Sequence, residues 1–145
     1  MGAIAIYISV YDFKFHIISD RVNTLLLLLA LFGTMFLSFR ENNLTRFAFS
    51  WLIGLGIFAF LYLLAVISQG AIGGGDVKFA PSLGVLLAWL NPASGAWFLL
   101  LAFQLAGLGA IHKVIFLRRS LKQRIAFGPY LSMSYVATAV YLLAL

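Results

Sequence analysis

The chain has 145 residues, of which 63% are hydrophobic and only 10% charged, with a mean hydropathy of +1.05. That balance leaves too little polar surface for a soluble domain and implies a single integral membrane domain, residues 1–145. The absence of cysteine excludes disulfides, thiolate metal sites and cysteine nucleophiles, and the net charge of +6 is no sign of nucleic-acid binding, since basic residues of membrane proteins collect in cytoplasmic loops.

A membrane span needs roughly 20 apolar residues. The first candidate, residues 2–18, is interrupted by Asp12, Lys14 and His16. It can span only if its second half reaches the interface or lies against other helices. It lacks a small-residue cleavage site, so it does not read as a removable signal. Residues 22–39 and 47–68 are uninterrupted and long enough. Residues 77–90 predict a shorter helix, with Pro81 in its first turns, where proline is tolerated. Residues 93–111, extendable to 117, and 125–145 complete the set. The reading is an all-α polytopic membrane protein with about six transmembrane helices.

The basic residues test that count. With the N-terminus outside, three loops near 14–21, 69–78 and 112–124 fall on the cytoplasmic side and hold eight of the ten lysines and arginines. The opposite loops hold Arg40 and Arg46 only. This is the asymmetry expected of an inside face. Asp12, Asp20 and Asp76 fall on that same side. The run Arg118, Arg119, Lys122, Arg124 reads as a topology anchor rather than a lipid or substrate site.

Carboxylate chemistry has four sources: Asp12, Asp20, Glu41 and Asp76. Asp76 follows Gly73, Gly74 and Gly75, a stretch expected to be non-helical because glycine weakens helix interiors. Glycine also lets another extended backbone approach, so an acid on such a loop suits a site that holds a peptide main chain. The competing reading is a turn with a solvated Asp76 capping the next helix. Asp12, after ten largely apolar residues, is a second candidate, or else a charge at an interfacial helix end. Two carboxylates about 3 Å apart cannot both ionise, and such a pair holds an acid and a base together, as aspartyl hydrolysis requires. Asp20 reads as a cap for the helix beginning near Val22. Lys78 stands two residues past Asp76, where it can meet the acid or a lipid phosphate. His16 and His112 lack the spacing of a metal pair, so neither a metal nor a cofactor is expected.

Three separated segments together resemble the type IV prepilin peptidase family, intramembrane aspartyl proteases with a Gly-x-Gly-Asp signature. Asp12-Phe-Lys-Phe-His-Ile-Ile18-Ser19-Asp20 is similar to the family's Asp, five residues, Leu/Ile, Pro, Asp/Asn pattern. Gly73-Gly-Gly-Asp76-Val-Lys78-Phe resembles Gly-x-Gly-Asp-x-Lys-Leu, and Ile125-Ala-Phe-Gly128-Pro129-Tyr130-Leu131 resembles Ile-Pro-Phe-Gly-Pro-Tyr-Leu. Ser19 and Ala126 replace family prolines, which loosens two turns and removes no reactive group. The resemblance implies that Asp12 and Asp76 are the catalytic pair, in preference to Asp20; on the reading of the residues themselves, Gly73, Gly74, Gly75 and Lys78 are the expected substrate-binding positions. It implies as partners a lipid bilayer and the basic leader of a type IV prepilin or pseudopilin, cut at the cytoplasmic face of a bacterial inner membrane. The cysteine-free chain resembles the short, peptidase-only form. Its rival is a non-enzymatic membrane component, either a transporter-like subunit passing protons or cations through Asp76 or an inactive peptidase-derived scaffold.

Overall fold

The computed structural model describes residues 20–69, 72–117 and 127–144. These form five α-helices and, among the described residues, no strand: α1 Asp20–Glu41, α2 Leu44–Ile67, α3 Gly74–Leu90, α4 Pro92–Leu117 and α5 Gly128–Ala144. The all-α expectation holds. The segment 2–18, expected as the first span, lies outside the described residues. Three stretches are long and apolar enough to cross a membrane, Val22–Glu41, Leu44–Ile67 and Pro92–His112. At 17 residues each, α3 and α5 are about 25 Å long, short of the usual hydrocarbon thickness.

The connections are short because their residues stop and restart helices. Asn42 takes a left-handed backbone (φ 52°), which asparagine tolerates. Asn43 then caps α2, its side chain accepting from the Arg46 amide at 3.0 Å. Asn91 alone joins α3 to α4. It is extended, as the residue before a proline must be, and Pro92 starts α4 where its missing N–H costs nothing. The Asn91 side chain accepts from the Ala93 amide at 3.0 Å while its own N–H closes α3 on the Leu87 carbonyl.

A one-residue link makes α3 and α4 an antiparallel hairpin, and α3 is the hub, packed against α1, α2, α4 and α5. Past Lys78 its sequence is apolar on nearly every side, and burial follows: Phe79, Ala80, Leu83, Val85, Leu87 and Ala88 are all inside, as is Val77 before it. The other helices keep one face out. Phe32, Phe36, Leu52, Leu63 and Leu108 are more than half exposed, an apolar surface that a lipid environment would cover and water would not.

Glycines let α2, α3 and α4 cross closely. A side chain at Gly54 would strike Val85, one at Gly84 would strike the tip of Ile57, and one at Gly95 would come within 2.8 Å of Ile53. Small residues at crossings are how apolar helices approach without a hydrophobic drive between them. Hydroxyls inside the bundle bond back to their own helices, Thr34 to Ala30 at 2.7 Å, Ser38 to Thr34 at 2.6 Å and Thr138 to Ser134 at 2.8 Å, so among the described residues few buried side-chain polar atoms stay unmatched.

Two expectations about α3 are corrected. Gly74 and Gly75 lie within the helix, which starts three residues before the expected 77. The first-turn N–H groups need no helical acceptor, and tertiary burial overrides the weak propensity of glycine. Consequently Pro81 is the eighth helical residue, not one of the first turns, and it withholds the N–H that would serve the Val77 carbonyl. For α1, the helix begins at Asp20 itself rather than near Val22.

Candidate functional site

The start of α3 is where an acid enters the bundle. Gly73 is the N-cap, extended at φ −66° and ψ 139°, and its carbonyl accepts from the Asp76 amide at 3.0 Å and the Val77 amide at 3.3 Å. Asp76 is therefore the third helical residue. It is buried, with 7% of its surface exposed. The alternative reading of a solvated cap does not hold: Gly73 occupies the cap position and the carboxylate is inside. From the third position a carboxylate folds back toward the cap, a placement the helix dipole favours. The geometry agrees, since a side chain at Gly73 would sit 3.3 Å from Asp76 Oδ2. Glycine at 73 leaves that space to the carboxylate.

The surroundings differ from residue to residue. Gly73 and Gly74 are exposed, Gly75 is half-buried, and no described atom lies within 4 Å of where a Gly74 side chain would be. The main chain before Asp76 is therefore open on one side. Lys78 is exposed. Asp12, the other expected acid, lies outside the described residues, as does His16. Among the described residues no group of three or more His, Asp or Glu could hold a metal ion.

One residue at this site is not anticipated by sequence reasoning. Asn23, in the first turn of α1, is 5% exposed and donates from Nδ2 to the Gly75 carbonyl at 3.3 Å. It links α1 to the turn that carries Asp76. The sequence carries only a weak signal, an amide beside Thr24 at the start of a mostly apolar span, and nothing in it names the partner.

The end of the bundle that holds Asp76 also gathers the start of α5. Phe127 accepts from the Tyr130 and Leu131 amides at 3.0 and 3.1 Å, and its ring lies 5.0 Å from that of Phe103 on α4. Gly109 of α4 leaves room for the Tyr130 hydroxyl. The opposite end is tied by Arg46, which lies 5.6 Å from the Trp89 ring centroid and 3.1 Å from Glu41. Two of the three motif segments thus lie toward one end of the bundle: the glycine-aspartate turn and the segment from Phe127 to Leu131.

The arrangement is thus a buried carboxylate at the glycine-lined start of a central helix in an apolar bundle. The family profile described as "Type IV leader peptidase family" matches residues 1–114, more than three-quarters of the chain, and the chain belongs to that family. No curated protein and no solved structure matches. The family and the apolar helices together make this a membrane protein with a leader-peptidase type of function in general.

Proposed function

We propose that this chain is an intramembrane aspartyl endopeptidase that removes the basic leader of a type IV prepilin or pseudopilin. The single observation that carries the reading is family membership over residues 1–114, a stretch that contains both Asp12 and the Gly73-to-Asp76 turn. The burial of Asp76 beside an open glycine main chain supports it.

Asp12 and Asp76 are proposed to share one proton around a water molecule. The ionised carboxylate takes a proton from water, whose oxygen attacks the scissile carbonyl carbon, while the protonated carboxyl gives its proton to the carbonyl oxygen. Collapse of the tetrahedral intermediate breaks the C–N bond: the amine leaves with a proton from the carboxyl that took it from water, and a hydroxyl of the intermediate returns its proton to the other carboxylate, which resets the pair. Gly73, Gly74 and Gly75 admit the extended substrate, and Lys78 assists at its edge. The basic loops repel a basic leader, so recognition rests on the shape of the groove. In this reading about six helices span a bacterial inner membrane, with the site toward the cytoplasm.

The test is cleavage of a prepilin in detergent, followed by product mass, for wild type, Asp12→Asn and Asp76→Asn. Both variants should insert normally and lose cleavage; full activity in either one refutes the pair. Proton flux in liposomes with no cleavage by wild type would return the transporter reading.

A further inference from the structure

Asn23 carries more than a tether. The orientation of its amide is fixed, because the Gly75 carbonyl can only accept and so must face Nδ2. Oδ1 is then left buried without a hydrogen-bond partner. Buried acceptors are almost always matched, and an unmatched one is destabilising until a donor arrives. Oδ1 shares a carbon with Nδ2 and therefore sits beside Gly75, next to Asp76. At 3.3 Å the bond from Nδ2 is long, so little is lost when the contact opens. The neighbouring Gly73 and Gly74 are exposed, and Gly74 has an unobstructed side.

We propose that Asn23 is a peptide-docking residue, whose Oδ1 accepts a hydrogen bond from a main-chain N–H of the substrate strand lying along Gly73, Gly74 and Gly75. The inference rests on the leader-peptidase reading and adds to it a specific contact. A main-chain N–H is the matching group because the substrate is a peptide and the acceptor is neutral. Recognition through backbone also explains how a site reads an extended segment without relying on its charge.

The test pairs enzyme variants with substrates in which single N–H groups, other than that of the scissile bond, are replaced by ester oxygen. Wild type should lose roughly tenfold in kcat/KM at one ester position. Asn23→Leu and Asn23→Ala should each show a KM raised about tenfold on the all-amide peptide, with kcat nearly kept. In both variants that one ester position should cost nothing further, while the others cost what they cost wild type. Asn23→Leu should also unfold at a temperature no lower than wild type, since it removes an unmatched buried acceptor. Wild-type kinetics in both variants would overturn the inference, as would an unchanged ester penalty, which would mean that water rather than peptide serves Oδ1. Failure of wild type to cleave the all-amide prepilin would instead overturn the peptidase reading, and this contact with it.

Discussion

At Gly73 the absence of a side chain has a measurable role. A methyl there would meet Asp76 Oδ2 at 3.3 Å and force the carboxylate aside by a few tenths of an ångström. Gly73→Ala should therefore lower kcat about tenfold with little change in unfolding temperature, measured on the same prepilin, because catalysis is steep in the placement of reacting groups. Gly74→Ala meets no described atom, so it should keep or slightly raise stability and affect KM instead. Asp76 was legible from sequence because acids are so few here and membrane burial makes each one costly. Asn23 was not legible, since nothing in a string of letters says that an amide on one helix faces a carbonyl 52 residues away.

For the helices, apolar length identifies five of the segments to within about three residues at each described end, with the fourth taken to its extended limit of 117, and the larger offsets have local causes. The start of α3 falls three residues before the point the sequence suggests, because glycine propensity argues against a helix whereas the first turn asks little of its residues. The interior position of Pro81 follows from that earlier start. Pro81→Ala restores the N–H for the Val77 carbonyl and should raise the unfolding temperature in detergent; the gain is bounded by the roughly 3 kcal/mol that an interior proline costs. The α2–α3 crossing offers a paired test. Gly84→Ala would strike the Ile57 tip and should destabilise by about 1–3 kcal/mol. Ile57→Val removes that tip, so the double variant should be more stable than the two single losses predict.

On the scale of the whole molecule, the connectivity puts Gln69, Gly73 and the start of α5 at one end and Asn43 and Asn91 at the other. The chain has no cysteine, so a single introduced thiol reports its own position. In sealed inner-membrane vesicles of known orientation, Gln69→Cys should react with an impermeant maleimide from the cytoplasmic side and Asn43→Cys from the other. Labelling of both from one side would dismiss the proposed topology. Composition and charge asymmetry made the membrane class readable, while the choice of α3 as the hub depended on packing that no periodicity reveals. That hub has a mechanical consequence. A helix hemmed in by four neighbours and stitched to the next by Asn91 alone cannot slide along its axis without dragging its partner. The acid at its head is thereby an anchor, and whatever yields to let a peptide in must be the scaffolding around it.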